Sequence, residues 1–253
     1  MINKNKRYKL YEFVVEDLGL KIIKGEYKPG DTLPNEELLS REFDVSRGVL
    51  REATKVLVKK GLIRLKPKIG TQIQPQREWN LFDPDVLIWK FEADDKIKFL
   101  ENIIEVRQII ESEAAKLAAE RGGEEEISLI RSNYDKMVKF LDDKDGYSYE
   151  EYIKLDIKFH LSILEACQNE LFSQIGYTIR QALLAARQSD RKDIKAQKET
   201  LSLHLDIVNA IENHKPEAAY KATRTLIYEI WGEIKEKISK PEYPQNNVKL
   251  SKP

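Results

Sequence analysis

The sequence has few of the residues that build disulfide frameworks or metal clusters. Its 253 residues include one cysteine, three histidines and two methionines. A single cysteine, Cys167, excludes an internal disulfide and fits a reducing compartment. No apolar run approaches the roughly 20 residues of a membrane-spanning helix, and the basic, polar N-terminus lacks the apolar core of a secretory signal. We therefore expect a cytoplasmic protein with no membrane partner.

Charge is abundant but unevenly distributed. Charged residues make up 34% of the chain and the formal net charge is zero. Residues 1–78 hold 17 Lys and Arg against 11 Asp and Glu, and the remainder holds 26 against 32. A chain of this length favours two domains. A basic N-terminal segment followed by an acidic remainder is typical of a nucleic-acid-binding module joined to a second, regulatory domain.

The most informative stretch is 33–73, which predicts a helix, a tight turn, a second helix and two short strands joined by a basic turn. Asn35 and Ser46 are suitable N-caps for the two helices. Asp44 tolerates the left-handed conformation that such a turn needs, and Gly61 is placed to end the second helix as a C′ glycine. Together these signals predict a winged helix-turn-helix.

The second helix of this motif has two faces. Leu50, Ala53, Thr54 and Leu57 have the spacing of a buried stripe, whereas Arg47, Arg51 and Lys55 follow at four-residue intervals and point outward. Arginines one turn apart can read base edges in a major groove; the alternative is a solvated helix face. The candidate DNA-binding residues, including the wing, are Ser46, Arg47, Arg51, Lys55, Lys66, Lys68 and Gly70.

The remainder of the chain reads as a linker followed by helices. We divide the sequence into a DNA-binding domain (1–74), a partly apolar linker (75–93), a helical effector-binding and dimerisation domain (94–240) and a polar tail (241–253). Breaks in the periodicity predict six helices, at about 95–121, 124–141, 148–167, 170–188, 193–213 and 216–239. This pattern predicts an all-helical bundle.

Three polar residues of the predicted bundle fall at inward positions. Asp156 and His160 lie one turn apart along the apolar stripe of one helix, and His204 lies on the stripe of another. A buried carboxylate is costly unless it is paired or bound to a cation. The alternatives are an internal hydrogen bond between these side chains and a metal site.

Arg107 is a further candidate because it lies among Ile103, Val106 and Ile110, partly on a buried stripe. A guanidinium in that position requires an anion. The anion could be a neighbouring carboxylate, Glu111 or Glu113, and a surface location is also open. The functional alternative is a bidentate clamp on the carboxylate of an effector.

The N-terminal segment resembles the DNA-binding domain of the GntR family of bacterial transcription factors. The resemblance rests on PGDTLP (29–34), VSR (45–47), LREA (50–53) and KGLI with GT (60–71). It implies that Arg47 and Arg51 sit where the family reads guanines and that Gly70 is at the inserted wing tip. Glu37 departs from the family, which often has a DNA-contacting arginine there, so we expect the first helix of the motif to contribute less affinity.

The C-terminal segment resembles the FCD effector domain of the FadR-like branch. The matching segments are 105–121, 156–160 and 204–222. FCD domains often bind a divalent metal such as Zn²⁺, Ni²⁺ or Mn²⁺ through one Asp and three His, and the resemblance implies that Asp156, His160 and His204 are three of the ligands. The fourth position falls at Leu226, which cannot be a ligand. The segment EWNLFDPDVLIW (78–89) resembles the corresponding segment in the branch of the family that represses sugar-acid catabolism, such as the galactonate regulators.

These features predict a ligand-responsive transcriptional repressor that binds a palindromic operator as a homodimer. The effector would be a small carboxylate such as a sugar acid, bound by Arg107, Asp156, His160 and His204. One alternative is a regulator for which the metal itself is the signal. Another is a metal-dependent enzyme, against which we find no inward residue that stands out as a general base or nucleophile.

Overall fold

The computed structural model describes residues 4–93, 96–143, 148–187 and 194–238, and it confirms the predicted mainly α-helical fold. The chain divides between Lys96 and Ile97 into two compact units. None of the helices in the described ranges has both the length and the apolarity needed to cross a bilayer. The predicted polar tail, 241–253, lies outside the described residues.

The first unit is a winged helix-turn-helix followed by one more helix. Its elements are α1 (Lys4–Ile23), α2 (Glu36–Glu42), α3 (Arg47–Lys59), β1 (Ile63–Lys66), β2 (Gly70–Ile73), a 3-10 turn (Gln76–Glu78) and α4 (Pro84–Ala93). β1 and β2 pair antiparallel, with Ile63 opposite Ile73 and Lys66 opposite Gly70. An isolated bridge between Thr32 and Gln72 attaches the preceding segment to this hairpin.

The predicted caps fix the ends of α2 and α3. The side chains of Asn35 and Ser46 accept hydrogen bonds from the backbone N–H groups of Leu38 and Val49. Asp44 has a φ of 49° in the turn between the helices, as predicted. At the other end of α3, the N–H groups of residues 61 and 62 donate to the carbonyls of residues 58 and 57, which is the Schellman arrangement.

An apolar core joins α1 to α3. The side chains of Val14, Leu18 and Ile22 on α1 and of Leu50, Ala53 and Leu57 on α3 are buried in the same cluster. Burial of each large aliphatic side chain contributes about 1.5–3 kcal/mol. Because this core occupies one face of α3, the opposite face, with its basic stripe, is left in solvent.

The segment expected to be a linker contains a helix. Asp83 accepts hydrogen bonds from the backbone N–H groups of residues 85 and 86 at 3.0 and 3.3 Å, and Pro84 occupies the first helical position, where its missing N–H costs nothing. The resulting α4 belongs to the first unit, because its Trp89 side chain is buried in the apolar core of that unit. The buried Lys60 ammonium reinforces the contact by donating to Asp83 at 2.6 Å and to Asp85 at 2.7 Å.

In the described part of the chain, the second unit consists of six helices, close to those predicted. They are α5 (Lys96–Arg121), α6 (Glu124–Asp142), α7 (Tyr149–Ala166), α8 (Glu170–Arg187), α9 (Ile194–Glu212) and α10 (Pro216–Ile238). Five of them, α5, α6, α7, α9 and α10, share one apolar core. This core includes Ala115, Ile130, Met137, Tyr152, Phe159, Val208 and Leu226. α8 packs closely on α7, where the backbone of Gly176 approaches the Leu164 side chain.

We expect Gly61→Ala to destabilise the first unit far more than Gly25→Ala. Both glycines have positive φ, at 73° and 78°, which costs an L-residue about 1–2 kcal/mol. A Cβ at Gly61 would also lie 2.1 Å from the Glu78 carbonyl oxygen, whereas nothing lies within 4 Å at Gly25. Relieving that overlap should cost a further ~1–3 kcal/mol. Urea titration followed by tryptophan fluorescence measures both, and equal losses would contradict the prediction.

Candidate functional site

The first candidate site is the outer face of α3. The side chains of Arg47, Arg51 and Lys55 are 63%, 64% and 67% exposed and follow one another at one-turn intervals. Ser46 begins the helix as its N-cap and is itself exposed. This surface is therefore a basic ridge on a helix whose other face is anchored in the core, which is the geometry for insertion into a major groove.

Two carboxylates of α2 meet these arginines. Arg51 Nε lies 3.2 and 3.1 Å from the two carboxylate oxygens of Glu36, and Arg51 Nη2 lies 3.1 Å from Glu36 Oε2. Glu37 accepts a hydrogen bond from Arg41 at 2.6 Å and lies 3.8 Å from Arg47 Nη2. Glu37 departs from the family pattern, and its main partner is thus Arg41, one turn later on the same helix.

The wing places two more candidates near its tip. Lys68 is exposed and has a φ of 67°, and Gly70 has a φ of 109°. The Ile69 N–H donates to the Lys66 carbonyl at 3.1 Å and closes the turn. Lys66 is only partly exposed, so Lys68 is the more accessible of the two lysines.

The second candidate site is a buried polar cluster in the second unit. Its members, each less than 5% exposed, come from four helices: Arg107 and Glu111 on α5, Asp156 and His160 on α7, Arg180 on α8 and His204 on α9. The sequence periodicity correctly predicted that Asp156, His160 and His204 face inward. It did not single out Arg180, or Glu111 as more than one possible partner of Arg107.

Glu111 lies at the centre of this cluster. It accepts hydrogen bonds from Arg107 Nε at 2.7 Å and from Arg180 Nη2, and its Oε2 lies 3.3 Å from His160 Nδ1. Burial alone would raise the pKa of Glu111, but the two guanidinium charges and the His160 hydrogen bond hold that pKa well below its usual range. Glu111 is therefore a permanent anion that neutralises part of the arginine charge.

The two histidines face acceptor groups with both of their ring nitrogens. Burial and the Arg180 charge lower the pKa of His160 to about 3, so this ring is neutral and donates its Nδ1 proton to Glu111. His204 Nδ1 lies 2.8 Å from the Thr200 carbonyl and His204 Nε2 lies 3.2 Å from Asp156 Oδ1. Both partners can only accept, so a neutral His204 ring has one proton for two acceptors, and a cation between Nε2 and Asp156 would let Nδ1 keep that proton. The Nε2 atoms of both rings then face the same oxygen, Asp156 Oδ1, at 3.7 and 3.2 Å.

This arrangement fits a divalent metal. The donor atoms of Asp156, His160 and His204 all lie within 4.8 Å of one another. An outer partner on the second ring nitrogen of each histidine is the usual device for aiming a metal ligand. Leu226, at the fourth family position, is fully buried, which limits the protein to three ligands. Arg180 Nη1 lies 3.7 Å from Asp156 Oδ2, so a cation there would share Asp156 with a guanidinium.

Space and unmet hydrogen bonds define what else the cluster can bind. The cavity beside Asp156, Gln197 and His204 has a volume of about 10 Å³, enough for an ion or about one water molecule. Arg107 Nη1 and Arg180 Nε are buried with no hydrogen-bond partner among the described residues. Buried donors of this kind are costly, and each would be satisfied by an acceptor oxygen of a bound anion.

The structure also shows where Arg107 lies and which carboxylate it meets. Its side chain is buried, not at the surface, and its nearest anion is Glu111 rather than Glu113. The internal pair does not use the whole guanidinium, because Nη1 remains unpartnered among the described residues. Arg180 could have been found from the sequence, since it follows Phe172, Gly176 and Ile179 on the 3.6-residue period of α8.

The fold and the basic ridge of α3 define a class of protein, a DNA-binding regulator with a second, helical domain. Comparison with known families agrees with this class. The profile of the bacterial regulatory proteins of the gntR family matches residues 10–73, and that of the FCD domain matches residues 102–229. The chain therefore belongs to the gntR family, in the branch that carries an FCD domain, and is a transcriptional regulator, not an enzyme.

Similar proteins span nearly the whole chain. The uncharacterized HTH-type transcriptional regulator YieP of Escherichia coli K12 is 32% identical over 85% of this chain and 90% of its own length. The galactonate operon transcriptional repressor of the same strain is 30% identical over 88% of this chain and 96% of its own. The solved structure of Lar, which controls expression of the Listeria monocytogenes agr system, has a TM-score of 0.63 at 22% identity, covering 93% of this chain and 99% of Lar, and supports the fold.

We expect Glu111→Gln to destabilise the second unit by about 3–5 kcal/mol, because it leaves two buried guanidinium groups without their shared counter-charge. Glu120→Gln, an exposed position on the same helix, is the control and should change stability by less than ~0.5 kcal/mol. Chemical denaturation followed by far-UV circular dichroism measures both. A loss below about 1 kcal/mol for Glu111→Gln would show that the cluster does not depend on this charge.

Proposed function

We propose that this regulator is a repressor that binds a palindromic operator as a homodimer and is released by a small carboxylate. The proposal is carried by two buried guanidinium donors that have no hydrogen-bond partner in the described ranges, together with three metal-type ligands beside them. The same chain presents an exposed basic helix suited to DNA recognition. In this proposal the first unit binds DNA, and the second unit has buried donors that an anion could satisfy. Since it acts on chromosomal DNA, we place its action in the cytoplasm.

On DNA, the residues of α3 and the wing have different roles. Arg47 and Arg51, one turn apart and exposed, are suited to bidentate contacts with guanine O6 and N7. Lys55 and Lys68 are suited to phosphates, which position the protein without selecting sequence. Ser46 and Lys66 lie beside them, and Gly70 lets the wing turn approach the backbone because it has no side chain.

The effector we propose is an anion with at least one carboxylate. Arg107 Nη1 and Arg180 Nε could each donate to it, and Asp156, His160 and His204 belong to the same cluster. The similarity to a galactonate operon repressor supports a sugar acid. A cavity of about 10 Å³ cannot hold such a molecule, so binding would select a form in which the helices around the cluster separate.

We propose that one divalent metal, such as Zn²⁺, Ni²⁺ or Mn²⁺, is held by Asp156, His160 and His204. With three protein ligands it would keep an open position where an effector carboxylate could coordinate. The three converging donors also support a second candidate, a regulator for which the metal is itself the signal. The two differ in whether operator release requires the carboxylate.

Homodimer formation is supported by apolar side chains that the single chain leaves in solvent. Ile109 on α5 and Leu171 and Tyr177 on α8 are exposed. α5 and α8 adjoin through the Arg180–Glu111 pair, and an apolar surface formed by adjoining helices would suit a second copy of the chain. A dimer would present two copies of α3, which a palindromic operator requires.

We expect Arg51→Ala to lower affinity for the operator, selected from a random duplex library, by roughly 5- to 100-fold, the value of one good bidentate base contact. Lys68→Ala should instead weaken all duplexes about equally and reduce the salt dependence by about one phosphate contact. Fluorescence anisotropy at two salt concentrations separates the two effects. Unchanged operator binding by folded Arg51→Ala would remove Arg51 from the reading face.

We expect His204→Ala to lower Zn²⁺ affinity by at least ~10-fold, because loss of a direct ligand should cost no less than loss of an outer partner, which usually costs about 10-fold or more. The variant should also impair release by galactonate. Operator affinity without effector should stay within about 2-fold, because the winged helix is a separate unit. Leu226→His should raise Zn²⁺ affinity by supplying a fourth ligand. Competition with a chelating dye measures the metal; unchanged affinity in both variants would contradict the metal site.

A further inference from the structure

We propose that Glu36 is a positioning residue that fixes which edge of the Arg51 guanidinium faces DNA and so determines how strictly Arg51 selects guanine. The inference rests on the proposed role of Arg51 in reading the operator. It adds an acidic residue of α2 to the machinery of base recognition, although that residue would not itself contact a base.

The contact between the two side chains has a definite geometry. Glu36 lies against the Nε and Nη2 side of Arg51, at distances of 3.1–3.2 Å. A guanidinium offers five N–H donors in a rigid plane, so occupation of this side leaves the outer edge, formed by Nη1 and Nη2, for another partner. Two parallel donors on that edge match the O6 and N7 acceptors of guanine.

Arg47 provides an internal comparison. Its Nη2 lies 3.8 Å from Glu37 Oε2, beyond hydrogen-bond distance, and Glu37 is already engaged by Arg41 at 2.6 Å. The two reading arginines therefore differ: Arg51 is oriented before DNA arrives, whereas Arg47 is free to adjust. Orientation before binding lowers the conformational entropy lost on contact, and we expect stricter discrimination at the base pair read by Arg51.

Helix stability does not distinguish Glu36 from Glu37, because both are acidic residues in the first turn of α2, where negative charge is favourable. The Glu36 and Arg51 side chains are largely exposed, and exposed ion pairs contribute little to folding. The packing of α2 on α3 is provided by Leu39, Val45 and Leu50, all buried in one cluster. A carboxylate beside the phosphate backbone should instead lower affinity for every duplex, so removing Glu36 should have opposite effects on specificity and on general affinity.

The test measures binding of Glu36→Ala and Glu36→Gln to the operator selected by the wild-type protein, to a panel of single-base variants of it, and to an unrelated duplex. For Glu36→Ala we expect discrimination at the Arg51 base pair to fall by at least ~3-fold, part of the roughly 5- to 100-fold value of the full contact. Affinity for the unrelated duplex should rise, by up to about 8-fold at 0.1 M salt. Glu36→Gln, which keeps one acceptor, should be intermediate in discrimination.

Glu37→Ala is the matched control, since it removes the same charge from the next residue. It should raise affinity for the unrelated duplex to a similar extent and leave discrimination at the Arg51 base pair unchanged. In the background of Arg51→Ala, Glu36→Ala should have no further effect on that base pair, because the two residues act as a unit.

Three outcomes separate the hypotheses. If Glu36→Ala and Glu37→Ala change all duplexes alike, Glu36 acts only through its charge and the positioning role is overturned. If Arg51→Ala costs specificity and Glu36→Ala does not, the reading role of Arg51 stands and this inference fails. If Arg51→Ala itself has no effect on the operator, the proposed recognition face fails first. Circular dichroism of each variant verifies that α2 and α3 are folded.

Discussion

The contact of the Glu111 carboxylate with two buried guanidinium groups is the interaction on which the second unit depends. The carboxylate lies between the buried guanidinium groups of Arg107 and Arg180 and also meets His160, so it ties α5 to α7 and α8. Two cations and a carboxylate can share a dry interior only in close contact, because each ion alone would cost several kcal/mol. This one side chain therefore links three helices and balances part of the buried positive charge of the site.

That constraint decides what the site can accept. Glu111 holds the Nδ1 proton of His160, which leaves the Nε2 lone pair directed at Asp156, beside His204. Two carboxylates balance two guanidinium groups, and His160 is neutral. A divalent cation held by the three ligands would leave the cluster positive by two charges. An anionic effector would then restore the balance, which is why the metal and carboxylate proposals support each other.

The sequence predicted those features that repeat with a helical period or sit at a cap. The six helices of the second unit, the left-handed Asp44 and the Schellman glycine at Gly61 follow from local rules, and the structure confirms them. The sequence analysis missed α4. This helix is only ten residues long and lies in a segment with two prolines, so its apolar residues show little helical periodicity, although Asp83 and Pro84 signal its start. Pairings such as Glu111 with Arg180, or Glu36 with Arg51, join residues distant in sequence and depend on how helices pack.

The molecule uses the same chemical pair, arginine with glutamate, in two settings with opposite consequences. In the interior, Glu111 and Arg107 are shielded from water, so their attraction is strong and losing one partner strands a charge. On the exposed face of α3, water screens Glu36 and Arg51, so the pair adds little to stability, yet its geometry still leaves one guanidinium edge open. Solvent exposure, rather than residue type, therefore separates an ion pair that organises a fold from one that can only aim a side chain at a ligand.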